Sequence, residues 1–380
     1  MKANNRLLIL LILPFLLLTS CSDRSDIESD VFAAGIAIDI GEEKLYKVSA
    51  EILTTKSSGD TSNITSKVID SEGDTVLEAI SGMVSETSKK LNFDHCNIII
   101  LSSEIAANNL TDVLDLAFRD TDLRLSMLTV VAKNCKAAEL LNCDSTVNDI
   151  KAYEIAETVK INAENNPVPI YKLLNGLNGI QHSAITPAFT LKSTDSDKSV
   201  NMLEGMAIFN DQRFAGFGEP KQTQFTLMAS GDFREGVVTC YIPSHDQLMS
   251  VYILKCKRTL KTFADGKYAS AEMNLDFEVD LPEIPTEITV KTDEQCTVIE
   301  MDISNYISQN VYAVITDTLN RYGSDIFGLS SKLLAQNRDF CRENADRWEQ
   351  IIRNLKLSVT CSVKIRNSGV TNDRIIYEKE

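Results

Sequence analysis

Only one stretch of this 380-residue chain is apolar enough to leave water, and it comes at the start: Leu7 to Leu18, LLILLILPFLLL, behind the positive charges of Lys2 and Arg6. As a helix these residues would span roughly 18 Å at ~1.5 Å each, well short of the roughly 30 Å hydrocarbon core of a bilayer. A basic segment followed by a short apolar one is the pattern of an export signal, not of a membrane span. No later segment reaches eighteen uninterrupted apolar residues. Everything downstream is therefore expected to be a soluble body folded around its own core.

The apolar run stops at Leu18-Thr19-Ser20-Cys21, and charge begins at once in Ser22 to Asp30, SDRSDIESD. An aliphatic residue three before a cysteine, with small residues between, resembles a bacterial lipobox. That resemblance implies diacylglyceryl transfer to the Cys21 thiol and signal cleavage between Ser20 and Cys21. The alternative is an ordinary cleaved signal with a chance cysteine. Residues 1–20 are thus expected to be a lipoprotein signal peptide and 21–30 a polar tether, with covalent diacylglycerol on Cys21 and no other cofactor. Each buried CH2 contributes about 0.8 kcal/mol, so two acyl chains hold a protein on its membrane where one holds it marginally.

The remaining chain has an ordinary globular balance, 43% hydrophobic and 24% charged over the whole sequence, and is long enough for two or three domains. Its formal net charge of −16, spread along the chain, argues against nucleic-acid binding and against close approach to anionic lipid. Eight cysteines follow Cys21, at Cys96, Cys135, Cys143, Cys240, Cys256, Cys296, Cys341 and Cys361. They are scattered, several in apolar periodic segments, and none forms C-x-x-C. We read them as buried free thiols, with disulfides as the alternative.

Periodicity divides the body in two. Val31–Asp39 and Leu45–Leu53 read as a strand pair, Lys56–Ile69 as loop, and a helix is expected from Thr75, whose spacing to Glu78 is that of a capping box, with Leu77, Ile80 and Val84 on its inner face. Asn97–Leu101 and Leu125–Ala132 are short continuous apolar runs suited to strands buried on both faces, with a helix over Leu110–Phe118 between them. Weaker helices and the strand Ile185–Leu191 complete an N-terminal mixed α/β domain, 31–195. The polar stretch Lys192–Ser199, KSTDSDKS, is expected to mark a domain boundary.

The second domain, 200–380, opens on two short strands about Asn210-Asp211. Strand-like runs Gly236–Ile242, Leu248–Arg258 and Ala269–Val279 predict a largely antiparallel sheet. A long helix begins at the capping-box spacing Thr292 to Gln295, a second carries Trp348, Ile351 and Ile352, and Lys356–Ile365 returns as a strand. The fold class is α+β and multi-domain, the C-terminal sheet being packed by long helices.

Several separated stretches, in order, resemble the Ger(x)C family, the C subunit of nutrient germinant receptors in endospore formers. They are Cys21-Ser-Asp-Arg-Ser-Asp-Ile27 with Gly35-Ile-Ala-Ile-Asp39, Gly73-Asp-Thr75 with Glu78-Ala79, Phe93-Asp-His95, Arg119-Asp120 and Val130-Val-Ala-Lys133. Ile185-Thr-Pro187, Gly205-Met-Ala-Ile-Phe209, Phe214-Ala-Gly216, Asp325-Ile-Phe-Gly328 and Trp348 continue the series. Ser22 stands where the family often has tryptophan, and the chain diverges after Gly216. The resemblance implies a lipid-anchored protein on the outer face of the spore inner membrane, acting with integral-membrane A and B subunits in starting germination.

No catalytic constellation is nominated. His95, His182 and His245 lack second metal-ligand candidates at helical spacing, and no G-x-S-x-G, H-E-x-x-H, P-loop or dinucleotide fingerprint occurs. Asp325-Ile-Phe-Gly328 reads either as a partner-contact knob (Asp325, Phe327, Gly328) or as a helix stop with the phenylalanine tucked into the core. The function expected is a non-enzymatic anchored receptor subunit that contacts membrane lipid through its anchor and binds no nucleic acid. An extracytoplasmic solute-binding lipoprotein of a transport system is the alternative, and it predicts two similar α/β lobes about a cleft.

Overall fold

The computed structural model describes residues 30–367, apart from 59–60, 121, 145, 163–165, 196, 286–287, 289 and 291. Ser20, Cys21 and the tether up to Ser29 lie outside the described residues. The chain runs through β1 (Asp30–Ile40), β2 (Tyr46–Ser58) and β3 (Thr61–Gly73), then α1 (Val76–Gly82), the turn-long α2 (Val84–Thr87), β4 (Lys90–Asn92) and β5 (Ile98–Ser102). Next come α3 (Ser103–Asn108), α4 (Leu110–Arg119), β6 (Leu128–Ala132), α5 (Ala137–Asn142), α6 (Lys151–Ile161), α7 (Ile170–Asn178), β7 (Ser183–Ser193), β8 (Ser199–Asn210) and β9 (Arg213–Gly218).

These strands form one nine-stranded sheet in the order β3-β2-β1-β5-β6-β7-β8-β9, with β4 beside β1. Its centre, β1-β5-β6-β7, is parallel and its flanks are antiparallel hairpins. The parallel strands carry continuous apolar runs because helices cover both faces: α1, α3, α4 and α7 on one, α5 and α6 on the other. Gly35 in β1 is needed for this closeness, since a Cβ there would lie 2.5 Å from that of Ala152 in α6.

Three expectations change. The polar segment read as loop from Lys56 to Ile69 contains most of β3, an edge strand whose partner β2 supplies the hydrogen bonds that its own sequence does not advertise. The first sheet does not end at Lys192–Ser199: that stretch closes the β7–β8 hairpin, and β8 and β9 carry the sheet on to Gly218. Thr75 does cap α1, accepting the Glu78 N–H at 3.1 Å, but Val76, Ala79, Ile80 and Met83 are the buried residues. Leu77 and Val84 face outward, 49% and 41% exposed.

Beyond Gly218, α8 (Thr223–Ser230) leads to β10 (Gly236–Ile242), β11 (Gln247–Asp265) and β12 (Tyr268–Asp280). After α9 (Asp293–Asp317) come α10 (Leu329–Gln336), α11 (Arg338–Glu343), α12 (Trp348–Arg353) and β13 (Lys356–Asn367). The four strands pair in sequence order; β10-β11-β12 are antiparallel, and β13 is parallel to β12. Both members of the Thr292/Gln295 capping box bond as the spacing predicts, and Ile299, Ile303, Ile307, Val311 and Val314 of α9 are buried. The helix bridges the two edges of this sheet. Asp302 accepts the Ser244 N–H just past β10 at 3.1 Å, and Glu300 accepts the Ile365 N–H of β13 at 2.9 Å.

Candidate functional site at the junction of the two sheets

The segment between α9 and α10 joins the two units. Two glycines at positive φ turn the chain, Gly323 (65°) closing the long helix and Gly328 (71°) opening the next. Between and beside them the chain reaches back to the first sheet. Tyr322 Oη donates to the Phe217 carbonyl and Ser324 Oγ to that of Phe209, each at 2.8 Å. The Asp325 N–H donates to Ser183 Oγ at 3.1 Å, and Ser331 Oγ donates to Gln181. Lys172 of α7 and Asp232, just after α8, add an ion pair at 2.8 Å.

Asp325 is buried. Its carboxylate accepts the N–H groups of Leu329 at 3.0 Å and Ser330 at 2.6 Å, capping α10. Burial raises its pKa, and the cap bonds oppose that rise only in part. The half-buried Arg258 donates to the Phe327 carbonyl at 2.5 Å. Burial lowers the Arg258 pKa, while the charges of Asp325 and Asp232 favour its cationic form. A cavity of about 130 Å³ remains at this junction, lined in part by Lys172, Gln181, Ser183 and Asp232.

Of the partner-contact candidates Asp325, Phe327 and Gly328, the first two are corrected by their burial, while Gly328 is half-buried. Asp325 is 4% exposed and Phe327 1%, so neither side chain is available to another molecule. They are held inside because the polar backbone of this crossing segment must find partners within the protein. Phe327 does enter the core, but the helix stop is Gly323 and Gly328 begins a helix instead. Trp348 is half-buried against the same core.

The three histidines lie apart. The His95 ring meets Phe32 edge-on at 5.0 Å, His182 Nδ1 lies 3.1 Å from the Leu177 carbonyl, and His245 Nδ1 lies 2.7 Å from Ser244 Oγ. No group of three metal-ligating side chains occurs among the described residues. All eight cysteines of the body are free thiols. Burial pushes Cys96, Cys240, Cys256 and Cys361 up to about 12. Sequence reasoning missed Lys172, Ser183, Asp232 and Arg258, which meet only through tertiary contacts spanning dozens of residues. Glu51 and Asp39 left a usable trace, an acid inside an apolar strand run.

Comparison with known proteins places this architecture. The family description "spore germination protein N-terminal domain" matches residues 23–191, and "spore germination B3/GerAC like, C-terminal" matches 204–369. The first match ends just before and the second begins just after the stretch Lys192–Ser199 where composition suggested a boundary, although the first sheet continues past it. Over 373 residues the chain is 22% identical to the putative spore germination protein YfkR of Bacillus subtilis, covering 94% of this chain and 96% of that one. It is 22% identical to spore germination protein B3 of the same organism over 93% of this chain and 95% of the relative. The crystal structure of the GerBC protein superposes with a TM-score of 0.59 at 21% identity, over 88% of this chain and 97% of that one.

Proposed function

The chain belongs to the family of spore germination proteins of the B3/GerAC type, and from that membership we propose that it is the non-enzymatic C subunit of a nutrient germinant receptor. The observation that carries this is the ordered, nearly full-length match to both halves of the family, joined by a fold shared with the GerBC protein. In this reading diacylglycerol on Cys21 tethers the body to the outer face of the spore inner membrane, beside integral-membrane A and B subunits. The junction of the two sheets supports a rigid part in that assembly, because hydrogen bonds and an ion pair fasten one unit to the other.

The solute-binding alternative is not favoured. It requires two alike lobes, whereas a nine-stranded mixed sheet stands here beside a four-stranded sheet bridged by one long helix. Replacing Cys21 by Ala tests the proposal. The variant should leave the spore membrane fraction, and response to the cognate nutrient should fail while a trigger that bypasses nutrient receptors still works. Unchanged membrane retention together with an unchanged nutrient response would refute the anchored-subunit role.

A further inference from the structure

Helix α4 is a ridge between two depressions of opposite character. On one side, α4 and α7 leave a groove of about 400 Å³ over Leu114, Leu125 and Leu174, with Phe118 and Tyr171 at its margin. Phe118 is 68% exposed and Tyr171 50%, high values for aromatic side chains in a folded body. On the other side a cleft of about 650 Å³ opens toward Leu45 and Leu77, both more than two-fifths exposed.

The second cleft is acidic. Asp74, Asp112, Asp115 and Asp120 line it, and the one cation lining it among the described residues, Arg119, is held by Asp115 at 2.8 Å. Tyr46 Oη donates to Asp112 at 2.6 Å and fixes that carboxylate in place. Asp115 borders both depressions. The complement of an apolar groove beside an acidic cleft is a helix with an apolar stripe and Lys or Arg along one flank. An anionic lipid surface is repelled by the same carboxylates. A second copy of this chain, net −16, is a poor source of the basic flank.

We propose that α4, with the grooves on either side of it, docks a basic amphipathic helix of a partner protein, an inference that rests on the reading of the chain as a receptor subunit. Aromatic anchors in an apolar groove carry most of the energy of such a contact, and the acidic rim orients it.

The test uses the full-length anchored chain in spore membranes, solubilised in mild detergent, with recovery of co-purifying multi-pass proteins as the readout. Phe118→Glu and Asp115→Lys change exposed side chains and should leave the melting transition in place. Each should reduce co-purification by roughly tenfold or more, whereas Tyr268→Glu, also highly exposed but on the second sheet, should not. A photo-crosslinking residue at position 118 should form an adduct whose partner peptide, sequenced by mass spectrometry, is apolar and basic. Full co-purification of both variants overturns the docking surface and leaves the receptor reading standing. An adduct to lipid, to a second copy or to an acidic peptide overturns it as well. Wild-type chain that purifies without any multi-pass protein overturns both.

Discussion

Glu51 of β2 lies 2.7 Å from the main-chain nitrogen of Ala152, 101 residues away, and caps α6 from inside the sheet. Its other carboxylate oxygen accepts the N–H of Lys151 at 2.9 Å and the hydroxyl of Ser66 at 2.6 Å. The device recurs. Asp39 of β1 accepts the N–H groups of Ala137 and Ala138 at the start of α5, at 2.8 and 2.9 Å, and Asp325 does the same for α10. The residue before α6 is Ile150 and the one before α10 is Gly328, neither of which has a side chain able to cap. A buried acid therefore satisfies first-turn N–H groups that would otherwise be orphaned in the core.

Glu51→Ala should destabilise the fold by about 1–3 kcal/mol, because it leaves buried N–H groups unpaired. Thr75→Ala, at the exposed cap of α1, should cost about 1 kcal/mol. Urea unfolding of both variants measures the difference, and equal costs would show that burial of the cap does not matter.

Asp39 and Asp325 have pKa values raised, chiefly by burial. A carboxyl that binds its proton more tightly in the folded state contributes stability below its unfolded value and loses that contribution as pH rises through the folded value. Relative to Asp325→Asn, which cannot titrate, the wild-type protein should lose thermal stability as pH rises above about 4, the ordinary carboxyl value. A gap in melting temperature that widens in the opposite direction contradicts this assignment.

Glu72 behaves in the reverse sense. It accepts the N–H groups of Glu42, Glu43 and Lys44 at 3.1, 2.8 and 3.0 Å, and these bonds lower its pKa. Its contribution is present above the unfolded value and lost as pH falls through the folded one. At neutral pH Glu72→Gln should speed hydrogen exchange at the amides of residues 42–44, and acidification of the wild type should lower the protection of these amides relative to the intrinsic exchange rate at each pH.

The thiols give a direct check of packing. With pKa values near 12, Cys96, Cys240, Cys256 and Cys361 should resist alkylation at about pH 8 in the native protein. All eight cysteines of the body should react once it is denatured without reductant. A denatured, unreduced sample with fewer than eight reactive thiols would reveal disulfides.

Phe327 is fully buried in the core of the second unit. Phe327→Ala should cost about 3–5 kcal/mol. It should also loosen the crossing segment from Tyr322 to Ser331, so that limited proteolysis cuts there while the wild-type segment stays intact.

Local chemistry was legible in the residues themselves. The caps at Thr75 and Thr292, the inner face of α4 and the doubly buried strand Ile98–Leu101 are written in neighbours a few positions apart, and a short-range rule reads them. The ordered motifs likewise pointed to the family without any fold. What the residues did not show is wherever a segment depends on a partner in another element. The polar strand β3 is a strand because β2 lies beside it, and Lys192–Ser199 is a hairpin because β7 and β8 pair. Asp325 and Phe327 are buried because the first sheet offers Ser183 and Phe209 to the chain that crosses between the units. Sequence spacing encodes contacts within a turn of helix or a strand, whereas the pairing of one strand with another and burial against residues more than a hundred positions away are decided only when the whole chain has collapsed around its cores.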